Sequence, residues 1–530
     1  MTDGNLRLAK YTGIVMFATL LCRILGLGRE IVISNLFGAG LETDAFFVAF
    51  MIPNLLRSFL GEGALNSTFI PIFSDYLTHK DQKKAELFAS NILNILVITL
   101  FIVIFLGVLG APWIVDLIAA GFKQNPEKFA LTIRLTRMMF PYIFFVAIAA
   151  LFMGILNTYR RFFIPAIAPA MLNIGMIFFA IYYTREIGIF SLALGVLAGG
   201  LAQVLIHVPA LVRDHFQYRW IIQWNDPGVK SFFHLFIPAI LGLAIDRINF
   251  VVDRIIASYL SHGSISALYY ANRLMQFPLG VFGIALSVAI LPTISRYVSK
   301  NQINEMKDTF CYGMKILSFF ILPSTVALIV LSHPVIRLFY EHGVFSSKDT
   351  RMTEVALVSY TVGLFATAAL RLVINAFYAL KDTRTPLKIG SLIVMINIIL
   401  DLIMVRYLAH AGIALATSIA AILHFITLSI YLNKKVNGIY NRELYIFWWK
   451  ISLLSLLMGI CCWLIATYFS LAFDLNNKIV QISQVMISSS LGLIVYYFGG
   501  IMMGIPEFKN MKSTIRKLFK GRIQEEDNHD

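Results

Sequence analysis

Long apolar stretches recur from Tyr11 to about Met503, and only short polar segments separate them. A helix rises 1.5 Å per residue, so about 20 apolar residues cross the hydrocarbon core of a bilayer. The pattern therefore predicts an all-α polytopic membrane protein with about 14 transmembrane helices and no soluble domain between them. The predicted spans are 11–36, 44–76, 86–120, 128–157, 163–184, 187–212, 231–261, 265–295, 308–340, 352–380, 386–408, 412–433, 444–473 and 478–503.

The chain contains an internal repeat of about 220 residues. The matching segments are Gly28–Leu36 with Val252–Leu260, Asp44–Ala49 with Ser266–Ala271, Ile70–Pro71 with Leu291–Pro292, and Pro165 with Pro386. Their nearly constant offset indicates duplication, and six spans in each repeat make both halves enter the membrane from the same side. This predicts two parallel six-helix lobes, 1–222 and 223–440, then two additional helices in 441–503 and a cytoplasmic tail, 504–530.

The net charge of +15 is distributed by membrane side. Basic loop residues such as Lys80, Arg160, Lys381 and Lys434 all fall on one side of the predicted topology. By the positive-inside rule both termini are cytoplasmic, and the excess charge is topological and does not indicate a nucleic-acid partner. The four cysteines form no CxxC pair and lie in apolar segments, so neither disulfides nor a zinc site is predicted.

Charged side chains inside the predicted spans change this picture. Arg23, Arg29 and Arg57 lie in the first two spans, and Arg273 lies near the start of the eighth. A permanently charged guanidinium costs about 2.5–3.5 kcal/mol at the centre of a membrane helix. Several together predict a water-filled cationic cavity whose passenger is an anion. Phosphate or pyrophosphate fits best, because the planar fork of arginine matches its oxygens.

The alternative is that these arginines neutralise buried acids. Glu30, Asp44 and Glu62 are the candidates near the first two spans. Asp44 has a second possible role, because it can cap the second span together with Thr43. Glycines at 26 and 28 permit a bend that would turn Arg23 and Arg29 toward one cavity.

A second polar group is predicted on the outer side of the later spans. Asn397 and Asp401 are four residues apart, hence on one helix face, and Asp253 and Thr417 fall at a similar depth. Oxygen ligands suit Na⁺, and a carboxylate can carry H⁺, so either is a candidate coupling ion. The alternative is that Asp253 pairs with an arginine while Asn397 bonds a backbone carbonyl.

Sequence signatures of enzymes are absent. The chain has no GxxxxGK[ST] phosphate loop, no HExxH zinc motif and no aspartate-rich cluster for Mg²⁺-diphosphate. We therefore predict a transporter without a resident cofactor and without a metal site beyond the candidate Na⁺ site.

The N-terminal block closely resembles the MurJ (MviN) family of bacterial lipid II flippases, and similarity extends over essentially the whole chain. The segments that carry the resemblance are Arg23–Glu30, Phe37–Gly40, Thr43–Phe50, Pro53–Arg57, Glu62–Ala64, Phe69–Pro71 and Tyr269–Pro278. The resemblance implies the fourteen-helix fold of the multidrug/oligosaccharidyl-lipid/polysaccharide exporter superfamily, with the two extra helices forming a groove for a polyprenyl tail.

The resemblance also implies roles for individual residues. Arg23, Arg29, Arg57 and Arg273 would hold the pyrophosphate of the substrate, and Glu30, Asp44 and Glu62 would be the supporting acids. One position departs from the family pattern, because Gln276 stands where many members have an acid. That departure puts in doubt a gating ion pair made by such an acid, but it leaves the assignment of Arg273 intact.

These observations predict a flippase of the bacterial cytoplasmic (inner) membrane that moves lipid II outward by alternating access, for peptidoglycan synthesis. The expected partners are lipid II, membrane lipids and cell-wall synthesis proteins. Three alternatives stay open: an exporter of another polyprenyl-pyrophosphate-linked glycan, a membrane enzyme acting on polyprenyl pyrophosphate, and a non-transporting cell-wall scaffold.

Overall fold

The structure is a computed structural model. It describes the backbone of residues 3–59, 64–245 and 247–509, and the side chains in those ranges except at 3–12, 14, 16, 58, 59, 241–245 and 509. Two predicted features lie outside the described residues: the supporting acid Glu62, and positions 510–530 of the predicted tail.

The described residues are helical, and strands are absent from them. They divide into two compact units, Met1–Ser266 with Gly343–Phe345, and Ala267–His342 with Ser346–Asp530. The first ten helices are α1 (Asp3–Phe37), α2 (Leu41–Phe59), α3 (Leu65–His79), α4 (Gln82–Ile118), α5 (Pro126–Met139), α6 (Tyr142–Thr158), α7 (Phe163–Ile187), α8 (Phe190–Arg213), α9 (Pro227–Ile245) and α10 (Ile248–Ser258). The rest are α11 (Ser264–Pro278), α12 (Ala285–Ser299), α13 (Ile303–Val330), α14 (Ser332–Phe339), α15 (Ser347–Thr361), α16 (Leu364–Ala379), α17 (Arg384–Leu408), α18 (His410–Lys435), α19 (Arg442–Ala472), α20 (Lys478–Met502) and α21 (Pro506–Lys509).

The helices confirm the predicted all-α membrane architecture. In the described part of the chain, eleven helical stretches are long and apolar enough to cross a membrane, and they coincide with eleven of the predicted spans. The other three predicted spans coincide with α1, with α2 and α3, and with α9 and α10. These three are the first, second and seventh predicted spans, and each of them contains charged side chains.

In the first unit, small residues bring helices into backbone contact. A Cβ atom on Gly199 of α8 would lie 2.7 Å from the Leu172 Cα on α7, and one on Gly175 would lie 2.8 Å from the Gly195 carbonyl oxygen. Lipid tails are as apolar as leucine, so close packing of this kind holds membrane helices together. Helix α1 lies against the same helix, α7.

In the second unit, α19 packs between α13 and α20 around an apolar core. Ile451 and Leu454 of α19 are buried there beside Phe319 of α13. The hydroxyl of Tyr496 on α20 donates to the Phe319 carbonyl oxygen at 2.8 Å. The last two long helices therefore have a firm attachment to the second unit, while large apolar residues such as Trp463 remain exposed on their outer faces.

Two pairs of helix ends have matching backbone conformations at the offset of the predicted repeat. Arg160 has a φ of 60° and Lys381, 221 positions later, a φ of 59°. Gly188 and Ala409, at the same offset, have φ values of 56° and 49°. Each pair ends a helix with a left-handed residue, and a non-glycine residue rarely adopts that conformation. The duplicated segments therefore keep the same helix ends although their side chains differ.

An ion pair at these helix ends is also repeated, but with its charges exchanged. In the first unit Arg161 binds Asp214 with an Nη2–Oδ1 distance of 2.8 Å. In the second unit the corresponding positions are Asp382 and Lys435, whose Oδ2 and Nζ atoms are 2.5 Å apart. Each pair links the start of one helix to the end of the next helix. Opposite charges at the two positions are enough for this link, whichever position carries the acid.

We predict that Asp382 stabilises the second unit through its charge and through helix capping. Hydrogen bonds from the Lys435 ammonium and the Thr385 amide lower the pKa of Asp382 from 3.8 to about 2. Because the folded-state pKa is depressed, the charge contribution is complete at neutral pH and is lost as the pH falls from about 4 toward 2. Thermal unfolding of the purified protein at pH 7 should rank wild type above D382N, and D382N above D382A by about 1 kcal/mol, because asparagine keeps the cap.

A matched control is Glu443→Gln, which removes the exposed partner of Lys315 and should leave the unfolding temperature unchanged. Equal stability of D382A and wild type at pH 7 would contradict the assignment.

Candidate functional site

Helix α1 carries two of the predicted substrate arginines in different surroundings. Arg29 is 5% exposed and forms an ion pair with Glu30, which is fully buried. Its Nη1 atom also lies 3.8 Å from the Met176 sulfur on α7. Arg23 is only half-buried. The predicted alternative, neutralisation by an acid, therefore holds for Arg29, because a buried guanidinium requires a compensating charge.

The glycines that permit a bend in α1 do not interrupt the helix. Residues 3–37 form one α-helix that passes through Gly26 and Gly28. Arg23 and Arg29 are six residues apart, so their side chains leave this helix about 120° apart. The two guanidiniums are thus not turned toward one point by a helix break.

The third arginine, Arg57, lies near the end of α2. It is half-buried, and its Nε atom donates to the Asn54 side-chain oxygen at 3.0 Å. Helix α2 continues through Pro53 and ends at Phe59. The bond to Asn54 holds one edge of the guanidinium along the helix, which orients a side chain that would otherwise sample many rotamers.

Arg273 lies on α11 and is half-buried. Gln276, at the position where many related proteins have an acid, donates to the Asn272 side-chain oxygen at 2.5 Å. Beyond Pro278 the helix continues as a π-helical segment, Leu279–Ile284, in place of a break. Such segments are rare and frequently accompany functional sites. Arg273 belongs to the second unit and the other three arginines to the first, so their convergence on one anion stays a prediction.

Asp44 is the most heavily coordinated of the predicted acids. It is 1% exposed and accepts hydrogen bonds from the Lys128 ammonium at 2.8 Å, the Gly263 amide at 2.8 Å, and the amide and hydroxyl of Ser266 at 2.9 and 2.7 Å. The carboxylate thus caps the first turn of α11, where the helix dipole also favours a negative charge. It does not cap its own helix, since α2 begins at Leu41.

Thr43, the other predicted capping residue, takes a different role. Its hydroxyl donates to the carbonyl oxygens of Phe37 and Gly38 at 3.2 and 3.0 Å. It therefore satisfies the last carbonyl groups of α1, while Asp44 satisfies the first amides of α11.

Lys128 is a site residue that the sequence analysis missed. It is 2% exposed, its ammonium lies 4.1 Å from the centre of the Phe122 ring, and the ring nitrogen Nδ1 of His262 is 3.3 Å away. In the sequence Lys128 is the first residue of the predicted span 128–157, at the membrane boundary, where a lysine side chain normally reaches water. Its partner Asp44 lies 84 positions away, so no local pattern signals the pair.

Two further hydrogen bonds join segments of the first unit that are distant in sequence. The Val344 amide donates to the Asn35 carbonyl oxygen at 2.9 Å, and Gly343 beside it has a φ of 58°. A Cβ atom at Gly343 would lie 2.3 Å from the Asn35 oxygen, so only glycine fits. The Gly121 amide donates to the Ser258 hydroxyl at 3.0 Å. The first unit is consequently held together by hydrogen bonds between segments distant in sequence.

The predicted ion ligands fall on two packed helices and one separate helix. Asn397 and Asp401 of α17 are 1% and 0% exposed, and Thr417 of the adjacent α18 is half-buried. Among the described residues the Asn397 amide has no hydrogen-bond partner, so the expected bond to a backbone carbonyl is not made. The Thr417 hydroxyl donates to the Ile413 carbonyl oxygen at 2.9 Å, which leaves its lone pairs available. Asp253 lies on α10 of the first unit and is half-buried.

A buried amide without a partner costs free energy comparable to a lost hydrogen bond. Coordination of a cation by the amide oxygen removes the part of this cost that belongs to the oxygen. Asn397 is therefore the strongest structural indication of an ion ligand on α17.

Among the solved structures that resemble this fold are a flippase and a multidrug transporter. A lipid II flippase MurJ in an inward closed conformation matches with a TM-score of 0.77 at 32% identity, covering 92% of this chain and 98% of that one. A multidrug resistance MATE family transporter of the MOP superfamily, inward-facing, matches with a TM-score of 0.64 at 16% identity, covering 80% and 98%. The second likeness concerns the fold alone, and both agree with the predicted exporter fold.

Sequence comparison extends the likeness. A "Probable lipid II flippase MurJ" from Buchnera aphidicola subsp. Acyrthosiphon pisum is 33% identical over 493 residues, covering 93% of this chain and 96% of the relative. A "Lipid II flippase MurJ" from Burkholderia cenocepacia is 32% identical over 429 residues, covering 80% and 83%. The family model for lipid II flippase MurJ matches residues 33–496. The chain therefore belongs to the MurJ family.

Proposed function

We propose that this protein flips lipid II from the cytoplasmic to the outer leaflet of the bacterial inner membrane. The observation that carries the proposal is the set of arginines in α1 and α2, together with family membership. A membrane protein retains such charges at a cost, and a pyrophosphate group is a ligand that repays it.

Exchange of ion-pair partners explains how Arg29 serves a moving substrate. Without substrate, Glu30 neutralises the buried Arg29. A pyrophosphate offers two or more oxygens to the same guanidinium fork and can replace the single carboxylate. Arg23 and Arg57, in the same unit as Arg29, supply further charge-assisted hydrogen bonds. Because the contact at Arg29 replaces an existing ion pair, the net affinity stays moderate and the load can be released.

Alternating access requires that the outer end open after loading. We place the Asp44 cluster at the outer end, because the positive-inside rule puts both chain termini in the cytoplasm. The carboxylate holds the first turn of α11 through three hydrogen bonds. Opening then requires that these bonds break, and their reformation closes the outer end again.

The membrane potential favours the proposed direction. A membrane potential that is negative inside favours outward movement of anions. Moving roughly two negative charges outward across it gains about 4–5 kcal/mol per 100 mV. Resetting the empty carrier then needs a coupling ion. We propose Na⁺, bound by Asn397, Asp401 and Thr417 of the second unit, since all three offer oxygen atoms.

The polyprenyl tail would remain in lipid during this cycle. We propose that α19 and α20 hold it, because their outer faces expose a continuous set of apolar side chains. The exposed residues include Leu456, Leu457, Ile460 and Leu493.

We expect Arg29→Ala to abolish flipping. The assay uses cells whose own flippase is shut off and an enzyme that cleaves only outward-facing lipid II, with protein levels in the membrane measured in parallel. Arg29→Ala should fall below about one tenth of wild-type cleavage, because loss of a charge-assisted contact costs more than 1.4 kcal/mol. Arg29→Lys should be intermediate, since an ammonium cannot bind bidentately.

A double variant separates transport from folding. Arg29→Ala with Glu30→Ala removes both charges of the buried pair, so the unfolding temperature should recover while flipping stays lost. Arg185→Ala, at the exposed end of α7, is the matched control and should flip normally. Near-normal cleavage in the Arg29→Ala cells would refute the arginine site. Loss of cleavage even with wild type would instead favour another lipid-linked glycan.

Asp44 and Lys128 should be energetically coupled. Removing one partner leaves a buried charge uncompensated, which typically costs about 3–5 kcal/mol. Asp44→Asn and Lys128→Met should each lower the unfolding temperature, while the double variant should lower it by less than the sum. The measurement is a double-mutant cycle on the purified protein. Additive effects would show that the pair is not a unit.

Sodium should stabilise the wild-type protein more than potassium does at equal ionic strength. Saturation at about 100 times Kd adds about 2.7 kcal/mol to the free energy of unfolding. Asp401→Asn and Asn397→Ala should abolish this thermal shift, whereas Asp382→Asn, which lies before the start of α17, should retain it. If sodium and potassium give the same unfolding temperature in wild type, the sodium site is wrong.

A further inference from the structure

A cavity of about 380 Å³ lies in the first unit between the start of α7 and the end of α8. Three arginines line it, Arg160, Arg161 and Arg213, together with apolar side chains that include Phe163 and Pro209. The volume falls within the range of small-molecule sites. The four pyrophosphate arginines proposed above take no part in it, so it is a separate feature of the molecule.

The charges of this cavity are not balanced. Asp214 is the single acid in its lining, and Arg161 binds both of its oxygens, at 2.8 Å through Nη2 and at 3.1 and 3.2 Å through Nε. Three arginines and one carboxylate leave a net charge of +2 (3 − 1 = 2). Arg160 and Arg213 have no ion-pair partner in the described ranges, and both are exposed. The cavity thus presents two uncompensated guanidiniums.

The apolar wall of the cavity distinguishes it from the equivalent place in the second unit. Phe162 and Phe163 correspond, 221 positions later, to Thr383 and Arg384. Phe163 is 49% exposed at the first turn of α7, and Val212 beside Arg213 is 67% exposed. Exposed apolar side chains on a membrane helix are covered by acyl chains. The cavity therefore combines exposed cationic side chains with an apolar wall that suits lipid.

Exposed tryptophans in the following segment, 218–224, indicate that this end of the unit lies at a membrane interface. Asn94 of α4 binds the carbonyl oxygens of Arg219 and Ile221 at 3.2 and 2.9 Å, which fixes the segment along α4. Its side chains Trp220 and Trp224 are 70% and 53% exposed. Exposed tryptophans are enriched at the level of the lipid headgroups, so the neighbouring cavity lies at the depth where headgroup phosphates are found.

We propose that this cavity binds the headgroup phosphate of an anionic phospholipid from the adjacent leaflet. Arg160 and Arg213 bind the phosphate, and Phe163 and Val212 contact the upper part of an acyl chain. Basic pockets between membrane helices are known to bind anionic headgroups in this way. A water-soluble phosphate would leave the apolar wall uncovered, which is why a phospholipid is the expected occupant. The site goes beyond the proposed transport, because its ligand is not the flipped substrate.

The test measures lipid retention by the purified full-length protein. Detergent-solubilised protein is titrated with phosphatidylglycerol or phosphatidylcholine, and bound lipid is counted by native mass spectrometry. Wild type should bind phosphatidylglycerol at least 10-fold more tightly than phosphatidylcholine. The double variant R160Q/R213Q should lose about 10-fold in phosphatidylglycerol affinity, with an unchanged unfolding temperature.

The matched control is K381Q/K434Q, which removes the two basic residues at the corresponding positions of the second unit and should bind phosphatidylglycerol as wild type does. Equal retention of phosphatidylglycerol by R160Q/R213Q and wild type would overturn the proposal. Equal affinity of wild type for both lipids would also overturn it. Displacement of bound phosphatidylglycerol by an equimolar amount of soluble glycerol phosphate would show that the acyl chain is not recognised, and would likewise refute it. Lipid counting does not depend on flipping, so these outcomes are separate from the fate of the transport proposal.

Discussion

The Asp44 carboxylate is the interaction on which the organisation of the first unit depends. Excluded from water, it must exchange its hydration for hydrogen bonds of equal quality, and it finds them on three other segments of the chain. The Lys128 ammonium belongs to α5, the Gly263 amide to the turn after α10, and the Ser266 groups to α11. None of these groups can move away without leaving a charge or an amide unsatisfied. A single carboxylate thereby joins four segments that share no local sequence pattern.

The requirement that a buried charge be compensated is met differently within α1. Arg29 and Glu30 are neighbours in sequence and neutralise each other, so the helix can enter a membrane before any ligand arrives. A pair of this kind contributes little net stability, because the cost of removing both charges from water is close to the gain from their attraction. That balance suits a transporter, since an incoming anion then has little to displace.

Pairing also explains how the duplicated helix ends diverged. Arg161 with Asp214 and Asp382 with Lys435 perform the same tethering with opposite polarity. The backbone around them kept its left-handed residues at Arg160 and Lys381, because these set the direction in which the next helix starts. Helix packing itself rests on small residues, where the absence of a side chain lets backbones touch. Geometry was therefore kept more strictly than charge identity.

The amino-acid pattern was sufficient to predict the helices, the internal repeat and the cost of placing Arg29 inside a membrane helix. Apolar length, a constant offset and the cost of burying a guanidinium are all local quantities that can be evaluated without coordinates. The folded structure was needed to identify the partners of these residues. Asp44 caps α11 and not its own α2. Lys128 is buried, and α1 continues through its glycines. The reason is that hydrogen bonds and ion pairs are satisfied by whichever groups lie nearest in space. Proximity between residues more than 80 positions apart is a property of the folded chain.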